Sequence, residues 1–449
     1  GIVFLSIDIR SISGEIYFDP YSVDAEHRRA WADTQLVQIE SMVKAFHKYS
    51  PAILVVCGME VPFYSPLGIL EFSEEFGFIA AVRALNSGIE KICRLTPGTY
   101  FLDYDLFVSK SGKANLFDPR YYYLADMRLS MASLPDLCDA YLSFLRPVAS
   151  KFSKCIVLDL DNTLWGGIIG EDGIEGIHLG PRPEGRPYWE FQKSLLALFN
   201  RGIILAINSK NNPQDVLQVL RGHSFMVLKE KHFAAMEINW NDKVKNLVNI
   251  ARTLNIGLDT LVYIDDDSRN CAMVRSALPA VRTAQVPEDP ADLVGFLQGL
   301  GGFDILKMTG EDKEKGRIYS EEGQRRELLS LSRSVEEFIK QLDIEIVIRP
   351  ADKQSFSRLS QLTQKTNQFN LTTRRRLENE LWDMVIRQEW KIYSVSVKDK
   401  FGDNGLVGAI IVRVKADAWR IDTFLLSCRV IGRKVEQAML ALIIARAQS

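Results

Sequence analysis

The densest chemistry in the chain lies in Asp159-Leu160-Asp161-Asn162-Thr163-Leu164, where an apolar run ends in two carboxylates one residue apart and a hydroxyl. Three further elements follow in order. Ser209 closes the apolar run 203–208, Lys243 opens a helical window after Trp240-Asn241-Asp242, and Asp265-Asp266-Asp267 closes the run 261–264. Short apolar runs of this kind read as buried strands. A parallel sheet presents the carboxyl ends of its strands as its ligand face, so the four elements collect at one edge. A carboxylate can serve as a nucleophile or a proton carrier. An all-oxygen donor set suits a hard divalent cation.

The elements that must position these residues are legible from periodicity. Apolar runs alternate with amphipathic helical windows, the pattern of α/β domains with parallel sheets. In the first region, strands are expected at 2–7, 52–57 and 99–103, and helices at 31–48, 70–85 and 134–146. In the second, strands are expected at 154–159, 202–208, 225–228 and 260–265, with helices at 189–200, 212–221 and 243–254. The polar stretch 309–324 reads as a linker running into a long polar helix. Beyond it, strands are expected at 343–348, 391–397, 407–414 and 419–425, followed by a helix at 433–446. The domain boundaries are 1–152, 153–308 and 325–449, with 309–324 between the last two.

Composition narrows the function. The 449 residues suggest about three domains. Lys and Arg number 55 against 57 Asp and Glu, for a net charge of -2, which argues against a nucleic-acid binder. No apolar stretch approaches the roughly 20 residues of a membrane span. The six Cys form no CxxC pair, and His27, His47, His178, His223 and His232 share no ligand spacing. Zinc and disulfide frameworks are therefore not expected, and the compartment is reducing, hence cytoplasmic. Cys57, Cys93, Cys138, Cys155 and Cys271 sit in apolar contexts and read as buried core residues. The chain opens at Gly1 directly into an apolar run, as an excised piece of a longer polypeptide or a tag scar would.

The ordered set Asp159/Asp161/Thr163, Ser209, Lys243 and Asp265/Asp266 resembles the haloacid dehalogenase superfamily over residues 153–300. The resemblance implies a Mg²⁺-dependent phosphatase or phosphotransferase on a Rossmann-like sheet. Asp159 would attack phosphorus and form an aspartyl-phosphate. Asp161 would protonate the leaving oxygen and later activate water, and its backbone carbonyl would join Asp159, Asp265 and Asp266 around the metal. Ser209 would donate to a phosphoryl oxygen and Lys243 would neutralise charge. Asn162, Thr163 and Lys210 would contact substrate. The short intervals from Asp161 to Ser209 and from Ser209 to Lys243 leave room only for a flap over 165–180, so the site is capless and suits a bulky or tethered substrate.

A narrower resemblance spans essentially the whole chain. LDLDNTLWGG at 158–167, EDG at 171–173, NSKN at 208–211, KTNQFNLTT at 365–373, FGDNGLVG at 401–408 and SCRVIGR at 427–433 are similar to the FkbH-like proteins of polyketide assembly lines. That family takes a glyceryl unit from D-1,3-bisphosphoglycerate and holds it as a thioester. It then removes the phosphate and passes the unit to the phosphopantetheine arm of an acyl carrier protein, often within a larger polyketide synthase polypeptide. The cycle needs a thiol. Cys428, before the final helix and flanked by Arg429 and Arg433, is the candidate, since a helix N-terminus and cations favour thiolate.

The implied architecture is an α/β chain with a capless Rossmann-like haloacid dehalogenase core. An SGNH-like or flavodoxin-like α/β domain precedes it and an N-acetyltransferase-like domain follows. The first domain lacks a Gly-Asp-Ser nucleophile and reads as a scaffold, with the aromatic stretch 118–123 as packing. In the last domain, Arg429, Gly432 and Arg433 resemble a coenzyme A pyrophosphate loop, except that Lys434 replaces the small residue; a pantetheine arm or a phosphorylated acyl group suits the loop equally well. A stand-alone phosphatase and a catalytically silent docking module are the alternatives.

Overall fold

The computed structural model describes residues 1–149, 151–306, 310–366, 369–376, 378–386, 389–415 and 418–448. The chain forms two compact units, Gly1–Phe152 with Gly301–Met308, and Ser153–Leu300 with Thr309–Ser449.

In the first unit, β1 (Ile2–Leu5), β2 (Ile53–Cys57) and β3 (Thr99–Leu102) pair in parallel in that order. Side-chain alternation sends Leu54 and Val56 to one face and Val55 and Cys57 to the other. The first face packs on helices Ala25–Tyr49 and Phe78–Leu95 through Ile39, Val43, Val82, Leu85 and Ile89. The second packs on Tyr141 and Phe144 of helix Leu134–Val148. That helix faces inward through Leu137, Ala140, Tyr141 and Phe144, which leaves Cys138 on its outer side. Cys138 is accordingly exposed, against the expectation of burial.

The second unit carries two sheets. The first is parallel, with strand order β6-β5-β4-β7-β8: β4 (Cys155–Leu158), β5 (Ile204–Ser209), β6 (Phe233–Ile238), β7 (Leu261–Asp265) and β8 (Arg282–Gln285). Every residue of β4, β5 and β7 is buried, as continuous apolar strands in a covered parallel sheet require. One expected strand is misplaced. Residues 225–228 form no ladder, because Gln192 Oε1 accepts from the backbone N–H of Val227 (3.0 Å) and Leu228 (3.1 Å). The strand that pairs with β5 is β6, whose Phe-Ala-Ala-Met-Glu-Ile sequence has weaker β propensity and escaped the pattern.

The second sheet is antiparallel, with order β12-β11-β10-β9: β9 (Glu345–Pro350), β10 (Trp390–Asp399), β11 (Gly402–Val414) and β12 (Trp419–Leu426). Helix Val435–Gln448 covers one face through Val435, Met439 and Ile443. Helices Lys353–Lys365 and Glu378–Ile386 cover the other.

The stretch read as a linker is, from Gly310, the start of helix Gly310–Leu331. This helix touches both sheets of the unit. At Gly323 it lies so close to β6 that a Cβ would sit 2.8 Å from the Ala234 carbonyl oxygen. Two residues later, Arg325 forks onto Asp399 at the end of β10 (2.7 and 2.9 Å). Arg433 joins the same acid at 3.2 Å and reaches Glu322 at 2.6 Å. Arg325, Asp399 and Arg433 are all buried, so this is a desolvated ionic knot.

Burial alone would raise the Asp399 carboxyl, but the hydrogen bonds and charges of Arg325 and Arg433 outweigh it and hold the group below the usual aspartate value. A folded-state value below the unfolded one of about 3.9 adds stability that is fully present above that pH and is lost as pH falls through the folded value. Asp399→Asn should cost about 3–5 kcal/mol, because two guanidinium groups lose their buried counter-charge. Chemical denaturation measured from pH 7 to pH 3 checks this: the loss of stability below about pH 4 should be shallower in the variant than in the parent.

Candidate active site

Asp159 is the first residue past β4. Its N–H still bonds Ile264 O of β7 (2.9 Å), so it is delivered at the carboxyl edge beside Asp265, the last residue of β7. The chain then turns. Thr163 and Leu164 N–H both return to Leu160 O, and Asn162 takes a left-handed conformation (φ 52°) that Asn tolerates better than most residues. Asn162 Oδ1 accepts from Gly167 N–H (2.9 Å) and ties the turn to the flap. The Thr163 hydroxyl is fully buried and has no hydrogen-bond partner among the described residues.

Lys243, the first residue of helix Lys243–Leu254, is the hub. Its Nζ lies 2.8 Å from Asp159 Oδ1 and 3.0 Å from Asp265 Oδ2, and donates to Asn208 O at 2.8 Å. The Lys243 ammonium is thus the near partner of this buried Asp159 oxygen. Burial pulls the lysine down, but Asp159 and then Asp265 more than restore it, so the side chain stays an ammonium. Asp159 is pushed up, first by burial and then by Asp265, with Lys243 and the Ser209 hydroxyl opposing. Asp266 is raised to about 6 by burial and by its two acidic neighbours.

Asp265 is held on every side. Oδ2 accepts from Lys243 and from the Tyr263 hydroxyl, and Oδ1 accepts from Asp267 N–H (2.9 Å) and Asn270 Nδ2 (3.3 Å). Burial first, then Asp265 and Asp159, keep the Tyr263 phenol firmly protonated.

Carboxylate oxygens of Asp159, Asp265 and Asp266 lie within 4.8 Å of one another. Three converging acids against one ammonium leave negative charge that a hard divalent cation can compensate. Asp159 and the half-buried Asp266 provide donor atoms, with Asp265 fixed behind them. The residues therefore fit a divalent cation.

Asp161 points elsewhere. Its Oδ1 accepts from Trp165 Nε1 (2.9 Å) and Ile169 N–H (3.1 Å), and its Oδ2 from Asn211 Nδ2 (2.9 Å). The carboxylate is thus aimed by the flap and by the loop after β5. Ser209, buried at the end of β5, is bonded by the same Asn211 amide (3.2 Å). The flap is small: Gly166 pairs with His178 in an isolated bridge around the kinked helix Ile169–Gly176.

Sequence reasoning placed Asp159, Ser209, Lys243, Asp265 and Asp266 together, and the structure brings them together. It missed Asn211, Trp165 and Tyr263, which act through other residues and carry no signal in their spacing. Lys210 is exposed beside Ser209. The C-terminal candidates lie between β12 and the last helix. Cys428 begins the turn Cys428–Val430, and its side chain lies outside the described residues, as do Asn367 and Gln368. Arg429 occupies the same turn and is half-buried. Arg433 corrects the expectation of an anion contact: Asp399 and Glu322 already take its guanidinium in the buried knot. Elsewhere, burial pushes the thiols of Cys57 and Cys271 up to about 11 and Cys93 to about 12, so none is a ready nucleophile.

Residues 154–289 match the family described as NLI interacting factor-like phosphatase. No curated protein matches the chain. Among solved structures, the chain is similar to the N-terminal part of a Bacteroides fragilis protein that contains a phosphatase domain and is complexed with Mg. Identity is 28%, over 68% of this chain and 80% of that one, with a TM-score of 0.62. A Moraxella catarrhalis 3-deoxy-D-manno-octulosonate 8-phosphate phosphatase, complexed with magnesium, phosphate and its sugar, aligns at 21% identity over 34% of this chain and 91% of that one; its TM-score of 0.22 is too low to bear on the fold. The central part of this chain is a phosphatase domain of the haloacid dehalogenase superfamily.

Asn211→Ala removes one of three donors that aim Asp161 and frees Ser209. Phosphatase kcat should fall roughly tenfold, about 1.4 kcal/mol of transition-state stabilisation, with KM little changed. Steady-state kinetics on a soluble phosphate monoester checks it.

Proposed function

We propose that this domain removes a phosphoryl group from a tethered glyceryl unit through an aspartyl-phosphate on Asp159. The unit comes from D-1,3-bisphosphoglycerate, is carried as a thioester, and is destined for the phosphopantetheine arm of an acyl carrier protein. The observation that carries the phosphatase part is the buried Asp159–Lys243–Asp265 ion pairing beside Asp266. Two features support the carrier-linked part: a flap in place of a cap, and the six strings shared with FkbH-like proteins from one end of the chain to the other.

The reaction runs as two displacements at phosphorus. An Asp159 oxygen forms a bond to phosphorus while the bond from phosphorus to the substrate oxygen breaks. Asp161 passes a proton to the departing oxygen. Asp161 then takes a proton from water, whose oxygen bonds to phosphorus as the Asp159–phosphorus bond breaks, releasing phosphate and restoring the enzyme. Lys243 keeps Asp159 ionised within a buried cluster and offsets charge on the phosphoryl oxygens. The Ser209 hydroxyl, beside Asp159, is a donor placed to orient that group. Mg²⁺ held by Asp159 and Asp266, with Asp265 behind, would supply Lewis-acid stabilisation of the phosphoryl charge.

Intact-protein mass spectrometry tests the reading. With bisphosphoglycerate and carrier protein, the parent should shift the carrier by one glyceryl group. Asp159→Asn should accumulate a phosphoglyceryl adduct and release no phosphate. Cys428→Ala should prevent the adduct if that thiol carries the acyl group. Free phosphate with no carrier adduct would reduce the protein to a stand-alone phosphatase, and full turnover by Asp159→Asn would remove the aspartyl-phosphate altogether. Chelation with EDTA should abolish phosphate release, and added Mg²⁺ should restore it.

A further inference from the structure

The N-terminal unit holds a second built site, independent of the phosphatase reading. At the carboxyl edge of its parallel sheet, where open α/β sheets take ligands, a cavity of about 370 Å³ is lined by Ser6, Asp8, Gly58, Glu60, Tyr104 and Arg128. A second cavity, of about 560 Å³, is lined in part by Arg10, Phe18, Phe63, Tyr64, Tyr122 and Tyr123. Glu60 and Arg128 line both, so the two cavities adjoin at that ion pair. Each volume lies within the roughly 300–1,000 Å³ of ligand pockets.

The walls of the two cavities differ. The floor is charged but neutralised from within. Arg128 pairs with Glu60 (2.6 Å) and Asp8 (3.4 Å), Arg10 with Asp8 (3.2 Å), and Lys113 with Asp105 (2.5 Å). Glu60 is buried, which makes its pairing with Arg128 a fixed part of the floor. The rim is aromatic and open: Phe18, Phe63, Tyr64 and Tyr123 are each about two-thirds exposed or more. Within the aromatic stretch 118–123, Tyr122 packs under the Arg10 guanidinium, while Tyr121 and Tyr123 stay exposed. Apolar rings grouped around a concavity mark a binding surface.

These walls select by chemistry. A charged ligand would have to break ion pairs that already satisfy each charge, so it gains little. A wholly apolar ligand would strip water from carboxylate and guanidinium groups and give them nothing back. A neutral polyhydroxylated ring fits both surfaces. Its hydroxyls can donate to carboxylates and accept from guanidinium N–H groups without disturbing their pairing. Its C–H faces pack on aromatic faces. We infer that the N-terminal unit binds a neutral carbohydrate chain, with one sugar at the Asp8–Glu60–Arg128 floor and the next against Tyr64 and Tyr123.

Isothermal titration of the full chain with the neutral hexasaccharides of cellulose, starch, xylan and chitin, their monosaccharides, and a hexa-uronate tests the assignment. At least one neutral hexasaccharide should bind saturably and at least roughly tenfold tighter than its monosaccharide, because two cavities are filled rather than one. The double variant Tyr64→Ala/Tyr123→Ala, altered only at exposed positions, should weaken that binding at least tenfold with melting midpoint and phosphatase activity unchanged. Three results overturn the inference: no saturable binding by any neutral hexasaccharide at millimolar concentration, tighter binding of the uronate, or undiminished binding by the double variant. Occupation of the rim by proline-rich peptides without any sugar binding overturns it as well.

Discussion

A single ammonium holds the catalytic edge together. Lys243 sits between Asp159 and Asp265, the residues that end two adjacent strands, and a third contact fixes it to the Asn208 carbonyl of the next strand. Three strand ends are thereby clamped by one buried charge. Without it, two carboxylates would face each other in a desolvated space, and neither could stay ionised cheaply. With it, three acids still face one ammonium, and the negative charge left over suits a divalent cation.

Around this clamp, the polar groups divide by task. Tyr263, Asn270 and the Asp267 amide fix Asp265, which therefore supports rather than reacts. Among the described residues, the Lys243 ammonium is the charged partner of Asp159. Asp161 is steered from outside the cluster by Trp165, Ile169 and Asn211, so the flap and the loop after β5 set the position of its carboxylate. Two carboxylates two residues apart thus come to have different environments and different roles, as acid–base chemistry on one fold requires.

A second ionic knot does structural work in the same unit. Helix Gly310–Leu331 lies against β6 at Gly323 and holds the end of β10 through Arg325 and Asp399. The polar composition that makes this stretch look like a tether is what builds the knot: half-buried Glu322 and buried Arg325 are partners of Arg433 and Asp399. Its mean hydropathy says nothing of this, because the partners of its charges lie far along the chain.

The phosphatase core was legible because its signals are local. A buried parallel strand must be an uninterrupted apolar run, and a reactive carboxylate must stand where that run ends, so Asp159 and Asp265 announce themselves in order and spacing. Lys243 was legible for the same reason, as the first residue of a strongly periodic helix. What the amino-acid order could not decide was set by distant contacts. Residues 225–228 are as apolar as a strand, yet Gln192 takes their N–H groups and the ladder passes to β6. Arg433 stands in a loop suited to anions, yet Asp399 and Glu322 claim it. Asp161, Asn211 and Trp165 meet only because the flap folds back on the sheet edge. The chain by itself determined which groups can do chemistry. Tertiary packing alone decided which of them keep a lone pair or a charge free, since that depends on what else is buried beside them.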